Sequence, residues 1–151
     1  MIDSAIADST CLIVLDKIGR LDILLKSFPR VIAPPAVLAE VGRVPAGVVV
    51  SSVRNKGSLS VLRLSLGEGE SEVIALATDY PSSILILDDL KARRVAERLS
   101  LRVMGTIGMV TQAKLRGLVE EVAPILADMK AAGFHMSEEI RLRALSLAGE
   151  R

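Results

Sequence analysis

The chain predicts an α/β fold, a central and mainly parallel sheet of about four or five strands covered by helices on both sides. Three observations carry this expectation. Short apolar runs alternate with segments of helical periodicity along the whole chain. The Ser83–Leu87 run is nearly continuously apolar, as a strand buried on both faces must be. Two of the runs end in acids, Asp8 and Asp88-Asp89.

The elements follow in order. Ser4–Asp8 reads as a first strand closing on an acid, and Thr10–Ile18 as a helix stopped by Gly19. Leu21–Phe28 is a second helix. Arg30–Ala33 is a strand halted by Pro34-Pro35, and Pro35 suits the first turn of a helix running through Glu40 to Val41. Residues 42–66 are punctuated by Gly42, Pro45, Gly47 and Gly57; a loop or short helix is expected, with Leu59–Leu64 a candidate strand. Gly67-Glu68-Gly69 opens a helix over Glu70–Asp79, with Val73, Ile74 and Ala77 on one face. After the Ser83–Leu87 strand comes a helix over Leu90–Leu99. Ala92, Val95, Ala96 and Leu99 there repeat at i, i+3, i+4, i+7, and Lys91, Arg94 and Arg98 occupy another face. Leu101–Met104 is a last strand, followed by helices over Ile107–Leu115, Glu120–Ala132 and Ser137–Ala148. Pro124 lies in a first turn and Ser137 at an N-cap. With no repeat, low-complexity tract or linker, residues 1–151 read as one domain, the helices of 120–148 packed upon it.

Composition removes several function classes. Half of the residues are hydrophobic, yet the longest apolar runs fall far short of the roughly 18 residues of a membrane span. Asp3 and Asp8 stand where a signal peptide would be basic, so a cytoplasmic protein is expected. One cysteine, Cys11, and one histidine, His135, exclude a disulfide and a Cys/His zinc site. A Ser-His-Asp hydrolase would need His135 and has no nucleophile elbow. Net charge is +1, so nucleic acid could be held only by a local basic patch; with Phe28, Tyr80 and Phe134 as the aromatics, it would be held through phosphates rather than stacking.

In open α/β sheets ligands bind beyond the C-terminal strand ends, where Asp8 and the Asp88-Asp89 pair are expected. Glu40, near a helix end, and Glu70, at a helix start on its core-facing side, are two further acids. Converging carboxylates repel one another and are neutralised most simply by a hard divalent cation. Mg²⁺ or Mn²⁺ so held can orient and deprotonate water and stabilise charge on a phosphodiester. Other readings stay open residue by residue. Asp8 and one member of Asp88-Asp89 would serve equally as helix caps, Glu40 as a solvated helix residue, and Glu68 and Glu72 compete with Glu70. Ser9, Thr10 and Thr106 could approach the site or simply cap helices. Arg93, Arg94 and Lys91 could contact phosphates or form a solvated face.

Asp8-Ser9-Thr10 after an apolar strand resembles the opening motif of PIN domains. The strand, proline, helix and Glu of Val31–Val41 resemble the second motif. Glu70 before an Ile/Ala-rich helix, and Leu85-Ile86-Leu87-Asp88-Asp89 followed by Arg93, resemble the later acidic motifs. With Gly105-Thr106-Ile107-Gly108 the pattern is closer still to a prokaryotic branch of PIN-like proteins. Glu70 stands where Asp is commoner, and Leu90-Lys91 where an aromatic is usual. The resemblance implies a three-layer α/β/α fold and a Mg²⁺- or Mn²⁺-dependent ribonuclease. Asp8, Glu40, Glu70 and Asp88 would be catalytic and would bind metal, with Asp89 a further metal ligand. Ser9, Thr10, Arg93 and Thr106 would face substrate. It also implies a homodimer and kinship with VapC-type toxins, silenced by an antitoxin protein. The alternative is a PIN-like module that has lost cleavage and binds RNA or a protein. A haloacid-dehalogenase-type enzyme would need Asp-x-Asp, which Asp8-Ser9-Thr10 lacks.

Overall fold

A computed structural model describes residues 1–151. Five strands, β1 (Ser4–Ala7), β2 (Arg30–Ala33), β3 (Val48–Val50), β4 (Ser83–Ile86) and β5 (Val103–Met104), form one sheet in the order β3-β2-β1-β4-β5. Every pairing is parallel, with Ala5 opposite Val31 on one side and Ile84 on the other. β1 is buried along its length, which explains the unbroken apolar Ala5-Ile6-Ala7. The chain lays down β1, β2 and β3 outward in one direction, then crosses back to place β4 on the other side of β1. The C-terminal ends of β1 and β4 therefore flank the point where the strand order reverses, the place where α/β sheets open a crevice.

Nine helices connect and cover the strands: α1 (Ser9–Lys17), α2 (Leu21–Ser27), α3 (Pro35–Val41), α4 (Lys56–Leu62), α5 (Glu68–Leu76), α6 (Leu90–Arg98), α7 (Thr106–Leu115), α8 (Ala123–Ala131) and α9 (Glu138–Leu147). A short 3-10 turn, Ala77–Asp79, follows α5. α3 starts at Pro35 and stops at Gly42, whose φ of 89° is the left-handed conformation that closes a helix without a side-chain clash. α5 packs on α3 and α4, and α7 packs on α2 and α9. One continuous apolar cluster runs from β1 through these helices to Ala148.

Three expectations need correction. The Leu59–Leu64 segment is not a strand: α4 occupies Lys56–Leu62, with the Asn55 side chain accepting from the Ser58 N–H at 3.0 Å as its N-cap. Val48–Val50, expected in a loop, is an edge strand pairing with β2. Leu99 does not face the core: it is 55% exposed at the end of α6, where Ala92 and Ala96 are the buried residues.

Candidate active site

β1 delivers Asp8 to the sheet crest, where its amide still donates to the Ile86 carbonyl across to β4. The Asp8 carboxylate then does two things. Oδ1 accepts from the Cys11 N–H at 2.9 Å and so caps α1; Oδ2 accepts from the Asp88 N–H at 3.0 Å and ties the ends of β1 and β4 together. Asp8 is only 5% exposed. Burial, and then the neighbouring Asp88 charge, push its carboxyl up to about 7, against an ordinary value of 3.8.

Asp88 is fastened on the other side. The Thr106 N–H donates to Asp88 Oδ1 at 2.9 Å and the Thr106 hydroxyl to Oδ2 at 2.6 Å. Thr106 is itself fully buried. The turn before α7 has to come close: a Cβ at Gly105 would sit 3.1 Å from Asp88 Oδ1 and 3.4 Å from Arg93 Nη1. Burial raises the Asp88 carboxyl, while Thr106 and the Arg93 guanidinium hold it down in part. Asp89, the exposed member of the pair, accepts from the Ala92 N–H at 2.9 Å and caps α6.

The remaining acids come from α3 and α5. Glu70 is half-buried in the first turn of α5, with Oε1 accepting from the Gly67 N–H at 3.3 Å. Burial and then Asp89 raise its carboxyl, with a smaller push from Glu40. Glu40 leaves the last turn of α3 and lies across Gly69, where an added Cβ would collide with Glu40 Oε1. Gly69 is thus buried inside α5 and leaves room for a carboxylate, rather than shaping the turn before the helix.

Asp8, Ser9, Thr10, Glu40 and Glu70 line one cleft of about 290 Å³, together with Glu68 and the small residues Ala36, Gly67 and Gly69. Of the acids expected from sequence, Asp8, Glu40 and Glu70 thus share a cavity. Asp88 adjoins it through its bond to Asp8, and Asp89 lies close enough to Glu70 to repel it. Arg93 stands beside Asp88 rather than in the cleft. No lysine, arginine or histidine lines the cleft, and Glu68 alone of its acids has an ion-pair partner, Arg63 at 2.9 Å. The donor set of Asp8, Glu40 and Glu70, hard oxygens with no ion-pair partner, suits Mg²⁺ or Mn²⁺. As the side chains stand, no three acids are close enough to hold one ion; Glu40 and Glu70 are turned toward Gly69 and Gly67.

Two site residues have roles that their sequence positions do not disclose. Glu72 accepts from the Ala36 N–H at 3.1 Å, docking α5 against the start of α3. Glu68 lines the cleft. The three alternating acids of Glu68–Glu72 are the available signal, but α5 turns each in a different direction. Cys11 is a core residue whose thiol is pushed up by burial.

An α/β sheet with carboxylates gathered where its strand order reverses places oxygen ligands in the crevice that such sheets use for binding. Residues 4–150 match the family model described as a PIN domain, and the chain belongs to that family. PIN domains are in general nucleases that use divalent metals, so this is a module of nuclease type. No curated protein matches the chain. No helix is long and apolar enough to cross a membrane.

Proposed function

We propose that the chain is a cytoplasmic, single-domain endoribonuclease that hydrolyses RNA phosphodiesters with Mg²⁺ or Mn²⁺. Asp8, Glu40, Glu70 and Asp88 would hold the ion, with Asp89 at its margin. The observation that carries this reading is geometric: Asp8, Glu40 and Glu70 line one cleft with no lysine, arginine or histidine, and Asp88 is bonded to Asp8 at its edge. Burial first, and then the Asp88 charge, raise the Asp8 carboxyl, as in a carboxylate cluster left for a cation to neutralise. The ion would supply charge for the phosphoryl oxygens and acidify water. The chain's own groups set the geometry: Asp8 and Asp88 are fixed by the Cys11 and Thr106 donors, while Glu40 and Glu70 can swing inward. Thr106 acts as a positioning residue for Asp88, and Ser9 and Thr10 offer hydroxyls to substrate from the cleft wall.

The toxin role, with an antitoxin protein as partner, is proposed on the family alone. A homodimer is favoured by Ile140 and Leu147, exposed on one face of α9 at i and i+7. A second reading, a PIN-like module without cleavage, is favoured by the acids standing too far apart to grip an ion.

Incubation of purified protein with mixed RNAs, in Mg²⁺, Mn²⁺ or EDTA, separates the two. Metal-dependent cleavage that disappears in Asp8→Asn supports the enzyme. Absence of cleavage together with absence of ion binding by calorimetry supports the module.

A further inference from the structure

α6 leaves the acidic crest directly after Asp88-Asp89 and runs back along the molecule. Its polar side is unusual for this chain. Lys91, Arg94 and Arg98 recur at i, i+3 and i+7, so they share one stripe, and all three are exposed. None forms an ion pair; every ion pair in the molecule lies elsewhere. Glu97, the one acid of α6, neutralises none of them. A fourth cation, Arg93, points from the same helix toward Asp88 and Gly105. In a protein of net charge +1, three unpartnered cations in one file make a local positive field beside a negative cleft.

From these positions we infer that α6 is the track for the phosphate backbone of single-stranded RNA as it leaves the cleft. Lys91, Arg94 and Arg98 are its binding residues. Seven residues of helix span about 10 Å, the reach of two or three successive phosphates. No aromatic side chain belongs to α6, so the grip is on charge and not on stacked bases. The track is therefore indifferent to base sequence. It also gives the cleft a directional feature, because acids repel a polyanion and the strand needs an attractive surface on one side. Arg93 sits where the track meets the acids. This assignment rests on the RNA-cleaving reading for the identity of the polyanion, and its test is arranged to stand apart from cleavage.

The test measures binding by fluorescence anisotropy in the Asp8→Asn background, which removes hydrolysis from the readout. Labelled oligouridylate and oligoadenylate are titrated between about 50 and 300 mM KCl without divalent ion, a range over which phosphate contacts register in the salt slope. The comparison is Lys91→Gln/Arg94→Gln/Arg98→Gln, with Lys17→Gln/Lys130→Gln/Arg143→Gln as a control of equal charge change on other surfaces. Gln substitutes for Lys and Arg on a helix face with little change in helix propensity, and circular dichroism melts of both triple variants check that each keeps the parental fold. Losing three phosphate contacts lowers the slope of log K against log salt by about 2, and affinity falls about tenfold or more at moderate salt. The control keeps the parental slope, and both homopolymers respond alike. An unchanged slope in the α6 variant, an equal loss in the control, or a parent that binds neither RNA overturns the track. If wild-type protein cuts RNA while the α6 variant binds as the parent does, the track falls and the nuclease stands. If nothing is cut but binding follows the stripe, the nuclease falls and the track stands.

Discussion

Asp8→Asn exchanges one carboxylate oxygen for an amide NH₂ and changes little else in shape. The Asn carbonyl can still accept from Cys11 N–H and cap α1. Its NH₂ then faces the Asp88 N–H, donor against donor, so the second bond is lost, at a cost of about 1–3 kcal/mol. Against this stands the charge. The Asp8 carboxyl releases its proton at about 7 in the fold and near 3.8 when unfolded. Between these values the folded state binds more protons than the unfolded one, so wild-type stability falls as pH rises through that window and levels off above it. The integrated loss is about 4 kcal/mol. Asn escapes it altogether.

The net expectation for Asp8→Asn changes sign with pH. In EDTA at pH 8 the variant is more stable by about 1–3 kcal/mol, which raises Tm by about 2–12 °C for a chain of this size. At pH 4, where wild-type Asp8 is neutral in the fold, the variant is less stable by about 1–3 kcal/mol. Differential scanning calorimetry at the two pH values reads both. Mn²⁺ adds a second axis. At about a hundred times its dissociation constant an ion stabilises the fold by roughly 2.7 kcal/mol, and this gain at pH 8 belongs to wild type and not to Asp8→Asn. The reasoning fails if Asp8→Asn melts below wild type at pH 8 in EDTA, because relief of a buried, repelled carboxylate would then not outweigh the lost bond to Asp88.

Gly69→Ala places a methyl where Glu40 lies, and Glu40 is an exposed, flexible side chain that can move away. Tm should therefore hold or rise, since Ala is worth about 0.5–1 kcal/mol over Gly in a helix, while isothermal titration shows weaker Mn²⁺ binding. Thr106→Val removes the hydroxyl that donates to Asp88 at 2.6 Å; urea unfolding should register a loss of about 1–3 kcal/mol, and Thr106→Ser should recover most of it. Glu150 accepts from Lys114 Nζ at 2.7 Å and from the Val122 and Ala123 amides at the start of α8. Burial raises its carboxyl, but these donors outweigh that and hold it below the usual range. Its stabilising contribution is therefore present at neutral pH and fades as pH falls through the lowered value. Glu150→Gln should lose about 1–2 kcal/mol at pH 7 and converge with wild type in urea melts once the pH is below that value.

The legible parts of the fold are those whose signals are local. Arg30–Ala33 is bounded by Pro34-Pro35, and α3 by Pro35 and Gly42, so strand and helix ends can be read directly. β3 cannot. Val48–Val50 is three residues long, hemmed in by Gly47 and Pro45, and becomes a strand only because β2 offers it a parallel edge. α4 is obscured by the opposite problem: Leu59, Val61 and Leu62 suggest a strand, but only Leu59 is buried, and the Asn55 cap settles the chain into a helix.

The site divides along the same line. Asp8 and Asp88 announce themselves because strand ends in a parallel sheet converge on one crest. What the sequence does not encode locally is how each carboxylate is used. Asp88 and Asp89 are adjacent in sequence, yet one turns inward to Thr106 and Asp8 while the other turns back to cap α6. That division depends on α7 arriving from eighteen residues further on, a tertiary fact. Thr106 holds both oxygens of Asp88, whereas Asp89 is held through one oxygen by a helix amide. A carboxylate oxygen that accepts one hydrogen bond keeps a lone pair for a cation, so Thr106 orients Asp88 without competing for it. Thr106→Val should therefore weaken the fold and Mn²⁺ binding together, read by urea unfolding and isothermal titration. A variant that lost stability while its Mn²⁺ affinity held or rose would mean that Thr106 competes with the ion for Asp88.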